Sequence, residues 1–348
     1  MGQAAGPMER ERLDRDEWSR FWERGSLTTF EGHFRENYDA EIRDFWWAEF
    51  ARLPDGAVIV DLATGNGALA LLAAQYAREA SGETGARHFS ITGVDSAAID
   101  VPRLRAAWPA LAADFDAVTL SGGTPLEATG LPDDSVDLVI SQYGFEYGDT
   151  AAGGREAARI LRPGGRLAMI LHHEESAILA QAREGLRQVA LCLEEERFLA
   201  LTRRMLKLFR GLKPGQGPAG LNWSPGALKV REELNSAAAR LEQYARRPEV
   251  RAADAGFIEF LVPSGLRLLE QSRSLEPRAI EAAWAAIEAE VAAYRLRMAD
   301  LVSAALGSPG MERIRDELAA AGFGGISLRP FNYSGTTLLG WALAAEKG

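Results

Sequence analysis

The chain has one cysteine, Cys192, in 348 residues. A single thiol cannot close an internal disulfide, so the core must hold the fold, and the chain suits a reducing compartment, the cytoplasm. Histidine is nearly as scarce: there are four, and two of them, His172 and His173, are adjacent. That pair lacks the further ligands a metal site needs, so no metal is expected. No apolar run is long enough to span a bilayer, and the N-terminal MGQAAGPMERERLDRDEW has no apolar signal core. Gly6 breaks the myristoylation pattern that Gly2 would begin. Positive charge is also in deficit. Lys and Arg number 39 against 49 Asp and Glu, a net charge of −10, which argues against nucleic acid as a bulk partner. No tandem repeat and no nucleophilic triad is legible. What the chain does have is 47 % apolar residues, enough for a substantial core, and a length that suits two units.

The most informative segment is VIVDLATGNGALALLAA, residues 58–74. Val58 to Asp61 reads as a buried strand ending on a carboxylate. A turn with Gly65 and Gly67 follows, then a run of good helix formers from Ala68 to Ala74. Strand, glycine turn and helix make a nucleotide-type cofactor site. A side chain in the turn would block close approach of a ligand to the backbone, and the helix start offers free N–H groups. The turn reads D-x-A-x-G-x-G and not the dinucleotide fingerprint G-x-G-x-x-G, so a nicotinamide oxidoreductase fits poorly. A carboxylate before the glycines suits a cationic group, such as an amino group or a sulfonium, better than a pyrophosphate.

Further segments continue the pattern. Phe89 to Asp95 reads as a second strand with an acid at its end, and Ala117 to Leu120 as a third. GTPLEATGLPDDSVDLVIS, residues 123–141, leads into a fourth strand, Val136 to Ser141. Residues 156–173, EAARILRPGGRLAMILHH, read as a helix ended by Pro163, a tight Gly164-Gly165 turn and a fifth strand. At the C-terminus, AAAGFGGISLRPFNYSGTTLLGWALAAEK reads as helix, Gly322 and two strands.

In this order, the segments resemble the class I, Rossmann-like, S-adenosylmethionine-dependent methyltransferases, over roughly residues 56–174 and again 308–348. The resemblance implies an α/β fold with a seven-stranded Rossmann-like methyltransferase sheet; composition shifts set off an N-terminal helical cap (1–55) and, from residue 175, an almost wholly helical block (175–307) that falls between strands five and six as an all-helical insertion. It implies S-adenosyl-L-methionine as cofactor, held by Asp61, Ala63, Gly65, Asn66 and Gly67 of the turn, by Asp95 and Ser96, by Ser141, and by Tyr38 from the cap. Asp95 matches the acid that hydrogen-bonds ribose hydroxyls. The adenine-side position falls near Thr124 or Pro125 by one alignment and at Glu127 by another. Glu127 is favoured, because a carboxylate could accept from the adenine amino group.

Two flanking elements carry their own periodicity. Phe30, Phe34, Tyr38, Ile42, Phe45 and Trp46 fall at helical spacing, with Trp18, Trp22 and Trp47 nearby. This segment is read as a helix packed on the sheet, with a lid over cofactor and acceptor as the sharper alternative. In the insertion, Ile280, Trp284, Ile287, Val291, Tyr294, Met298 and Leu301 form a heptad seam. It is read as packing inside its own subdomain, with a homodimer through the insertion as the alternative. Ser308-Pro309 reads as an N-cap followed by proline at the first helical position.

The expected chemistry is in-line methyl transfer to a small-molecule acceptor at the carboxyl ends of the strands. Tyr143, Glu146, His172 and His173 are the catalytic candidates, with a histidine as base. Adjacent strand residues point to opposite faces, so at most one histidine can serve. The competing readings are methylation of a protein or peptide, and a non-catalytic cofactor-binding assembly protein.

Overall fold

The computed structural model describes residues 15–28, 37–84, 88–210, 225–272 and 274–348. Phe30 and Phe34 of the aromatic stripe lie outside the described residues. The chain divides into two compact units, Met1–Ala177 with Ala304–Gly348, and Ile178–Ser303.

The first unit opens with α1 (Arg15–Trp22) and α2 (Ala40–Phe50). In α2, Ile42, Trp46, Glu49 and Phe50 are buried, the stripe that spacings of four and three or four produce on one helix face. Then come β1 (Val58–Leu62), α3 (Ala68–Thr84), β2 (Ser90–Val94), α4 (Val101–Ala107), α5 (Ala112–Asp116), β3 (Val118–Ser121), β4 (Val136–Gln142), α6 (Thr150–Ile160) and β5 (Leu161–His172). The second unit contributes α7 (Ala177–Ala190), α8 (Phe198–Arg210), α9 (Pro225–Ala245), α10 (Pro248–Ala253), α11 (Gly256–Gln271) and α12 (Pro277–Ala304). The chain returns with α13 (Ser308–Ala320), β6 (Phe323–Tyr333) and β7 (Thr337–Lys347). Gly307, not Ser308, is the N-cap of α13, and the proline falls in its first turn.

The strands form one sheet in the order β3-β2-β1-β4-β5-β7-β6, the first five parallel and β7 antiparallel to both neighbours. The period of two in each strand sorts side chains to two faces. Ile59, Leu138, Ile140, Ala168 and Ile170 share a cluster with Trp46 and Phe50 of α2 and the buried start of α3. Val60, Val139, Leu167, Met169 and Leu171 share another with Ala157 of α6 and with Met311, Ile314 and Leu318 of α13. Strand order reverses between β1 and β4, which puts a crevice at the carboxyl ends of these strands, where α/β sheets take their ligands.

In the second unit the heptad seam from Ile280 to Tyr294 belongs to the unit's own core, while Met298 and Leu301 are half-buried outside it. Ile280, Trp284 and Val291 are buried there, with Ile287 and Tyr294 packed against them. Leu201 and Met205 of α8 join the same core, while Arg203, Arg204 and Lys207 are exposed. A five-residue π-helix, Leu191–Glu195, continues α7 and buries Cys192. Among the described residues, no helix is long and apolar enough to cross a membrane.

Candidate active site at the carboxyl edge of the sheet

Asp61, in β1, is 1 % exposed. Its Oδ2 accepts from the Thr64 hydroxyl, and burial pushes its carboxyl up to about 7. After β1 the chain turns sharply: Ala63, Gly65 and Gly67 all have positive φ, of 55°, 55° and 88°. Ala63 is an L-residue held left-handed, which costs about 1–2 kcal/mol. Its methyl group has a consequence across the sheet. A Cβ on Gly144 would lie 2.6 Å from that of Ala63, so the loop after β4 needs glycine there.

Asp95 follows β2 and joins the same turn. Its Oδ2 accepts from the Gly65 N–H at 2.7 Å and its Oδ1 from the Ala97 N–H at 2.8 Å. Burial raises its carboxyl, and those two N–H groups oppose the rise. Ser96 beside it is half-buried.

Asp61, Gln142 and His172 lie on the sheet face that α2 covers, by the alternation along β1, β4 and β5. The Trp46 indole donates to Gln142 Oε1. Tyr38 is 9 % exposed, and burial and the Asp61 charge raise its phenol well above the ordinary value. Tyr143 has φ of +54°, its phenol is likewise raised, and the charges it meets after burial are Tyr38 and Glu146. A continuous row of side chains therefore runs from the glycine turn to β5: Asp61, Tyr38, Gln142, Tyr143, Glu146 and His172.

The end of that row holds unsatisfied groups. Glu146 is 5 % exposed; its Oε1 accepts from the His172 N–H at 2.6 Å, while its buried Oε2 has no partner. Burial lifts this carboxyl to about 7. His172 Nδ1 is also buried without a partner, and burial lowers its imidazole to about 3. The His172 ring stacks on Tyr143 at 4.5 Å and meets the edge of Tyr147 at 5.9 Å, and Trp18 of α1 packs edgewise on Tyr147 at 5.5 Å.

The two histidines part company, as alternation requires. His173 stacks on Trp341 at 4.3 Å, and its Nδ1 accepts from the Glu175 N–H. Three further candidates have side chains engaged in holding the fold. The Ser141 hydroxyl, fully buried, donates to the Leu62 carbonyl. Glu127 Oε1 accepts from the Asp149 N–H and so fastens the N-cap of α6. Asn66 donates to Trp22 and Ser26 carbonyls of the N-terminal segment. Trp22, whose indole rests on Gly65, was not among the candidates; its only sequence signal is its place in an aromatic-rich stretch. An opening of about 440 Å³ lined by His88, Ser90, Asp116 and Thr119 lies at the opposite, amino edge of the sheet.

Sheet order, the acid-led glycine turn and the second acid at the end of β2 define a Rossmann-like cofactor domain of the methyltransferase class. Residues 60–169 match the family described as methyltransferase domain, and that segment carries the pattern that resembles the S-adenosylmethionine-dependent methyltransferases. No curated protein matches. Among solved structures, the chain is similar to a methyltransferase of Haloferax volcanii in complex with the Trm112 methyltransferase activator. That likeness has 28 % identity over 46 % of this chain and 60 % of that one, with a TM-score of 0.30. An S-adenosyl-L-methionine-dependent methyltransferase of Methanococcus maripaludis matches at 14 % identity over 99 % and 97 % of the two chains, TM-score 0.41. A geranyl diphosphate methyltransferase in complex with GPP and sinefungin matches at 14 % over 96 % and 99 %, TM-score 0.37.

Proposed function

We propose that the protein transfers a methyl group from S-adenosylmethionine to a small-molecule acceptor, with Glu146 as the base. The residues fit the donor. Asp61 and Asp95 are two buried carboxylates raised by burial, and a cationic ligand beside them offsets that cost. Backbone of Ala63, Gly65 and Gly67 forms the cradle, with Ser96 and Tyr38 beside it. When bound, the donor supplies a methyl group on a sulfonium, already a good leaving group. The row of side chains then aligns the acceptor's lone pair with the methyl carbon, and alignment of this kind is worth about 7–11 kcal/mol.

The unpartnered Oε2 of Glu146 carries the catalytic assignment. As the acceptor atom bonds to the methyl carbon and the carbon–sulfur bond breaks, the acceptor's proton passes to Oε2. A base is most effective when it titrates near the working pH, and Glu146 does so at about 7. His172, at about 3, is too weak a base, and we assign it instead to orienting the acceptor through its neutral ring. The aromatic walls of Tyr143, Tyr147 and Trp18 suit a small organic acceptor.

The test is a metabolite-extract screen with labelled methyl donor, run on the wild type and Glu146→Gln. The wild type should label a low-molecular-weight product, and the variant should lose about 10²–10⁴-fold in rate. Label entering only protein would exchange the acceptor class. A fully active variant would remove Glu146 from the mechanism.

A further inference from the structure

Asn66 lies between the two glycines of the turn and is 1 % exposed. Its Nδ2 donates to the Trp22 carbonyl at 3.0 Å and to the Ser26 carbonyl at 2.7 Å. Trp22 ends α1, and its carbonyl accepts both from the Gly25 N–H at 3.0 Å and from the Asn66 amide, so the turn is tied directly to that end of the helix. The indole of Trp22 lies on the next residue of the turn. A Cβ built on Gly65 would stand 2.5 Å from Cζ2 and 2.8 Å from Cη2 of that ring. Two other contacts fix the segment. Ser19 Oγ accepts from the Ala98 N–H at 3.1 Å, and the Gly25 carbonyl accepts from the Trp108 indole at 2.8 Å. The segment is thus anchored both on the turn after β1 and on the loop after β2, the two stretches the cofactor reading uses. Trp22 itself is only half-buried, so part of its ring surface remains for a ligand.

We infer that α1 is a wall of the cofactor site, with Trp22 packing on bound S-adenosylmethionine beside Gly65 and Asn66 acting as the positioning residue that holds it there. The inference rests on the cofactor reading above. An indole suits this place twice over: its flat face excludes water from the donor, and its π-system attracts the donor's positive charge. Because Asn66 belongs to the turn, the wall and the cradle are held in one register. The contact also explains why Gly65 cannot carry a side chain even apart from its φ.

Calorimetric titration of the full chain with S-adenosylhomocysteine and with its charged counterpart tests this. Trp22→Ala should raise the dissociation constant for S-adenosylmethionine about tenfold, the size of one aromatic contact to a cation, and less for the uncharged product. Trp22→Phe should recover part of the loss. Asn66→Ala should weaken binding similarly, and the Trp22→Ala/Asn66→Ala pair should lose little more than either alone, because both act through one wall. Ligand-induced change in tryptophan fluorescence should fall in Trp22→Phe, a readout that a merely structural Trp22 would leave intact. Wild-type binding with unchanged affinity in Trp22→Ala and Trp22→Phe overturns the wall alone. So does tighter binding in those variants, which would make the ring a plug. A wild type that binds neither compound overturns the cofactor reading as well.

Discussion

Glu146 and His172 sit within one hydrogen bond of each other and are displaced in opposite senses by the same burial. Their effects on stability are therefore opposite too. Glu146 titrates at about 7 in the folded protein against an ordinary 4.5, so the folded state holds its proton through a window where the unfolded state has released it. Stability from this group is present below about 4.5 and is lost as pH rises to about 7, a change of roughly 3 kcal/mol at most. His172 loses stability on the acid side, between 6.5 and about 3, because only the unfolded state then gains a proton. The contrast isolates Glu146. The melting temperature of Glu146→Gln relative to the wild type should climb between pH 5 and pH 8; a difference independent of pH would mean that the carboxyl titrates normally. Activity should rise with pH and level off above about 7. On the proposed assignment of Asp95 to the donor, Asp95→Asn should keep the fold and weaken donor binding about 10–100-fold, the loss of a charged acceptor, as calorimetry would show. The meeting of the glycine turn with Asp95 was legible because chemistry and spacing coincide there. The preference for Glu146 over the histidines was not, since it depends on which atoms burial leaves unpartnered. Nor was the engagement of Ser141, Glu127 and Asn66 with backbone groups distant in sequence.

Elements were easier to read than their contacts. The strands of the sheet announce themselves because parallel strands buried on both faces carry apolar runs, as in Leu138-Val139-Ile140 of β4. The seam of α12 was legible for the same reason that it is buried: Ile280, Trp284 and Val291 repeat on one helical face. Its pairing with α7 was hidden, because it depends on a residue that is absent in bulk. Gly185 of α7 lets the Tyr294 hydroxyl of α12 approach so closely that a Cβ there would lie 2.2 Å from the oxygen and 3.1 Å from Cζ. Gly185→Ala, normally a gain in a helix interior, should instead destabilise the protein by about 1–3 kcal/mol through overpacking. Tyr294→Phe removes the clashing atom, so the double variant should recover much of the loss in chemical denaturation. Additive losses would show that the two residues do not compete for one space.

At the scale of the molecule, a helical unit is inserted into a sheet without interrupting it. The junctions show how. The Leu306 N–H donates to the His172 carbonyl at 2.9 Å, and the Leu306 carbonyl accepts from the Glu174 N–H at 3.1 Å and the Trp341 indole at 2.8 Å. Departing and returning chains are therefore hydrogen-bonded side by side at the end of β5, within the first unit. Loop-closure entropy grows only slowly with length, so a large insertion at such a base costs the sheet little. The composition shift at residue 175 made the insertion visible in sequence, but the clasp around Leu306 could not be seen, since neither Leu306 nor Trp341 lies near His172 along the chain. The clasp predicts that replacing residues 178–303 by a short glycine–serine linker leaves the sheet unit folded, because its two core clusters draw their members from residues outside that span. Circular dichroism should show a cooperative melt, and calorimetry should show donor binding within a few-fold of the full chain, since Asp61, Gly65 and Asp95 are all retained. A shortened chain that neither melts cooperatively nor binds the donor would show that the sheet depends on the helical unit for its own stability.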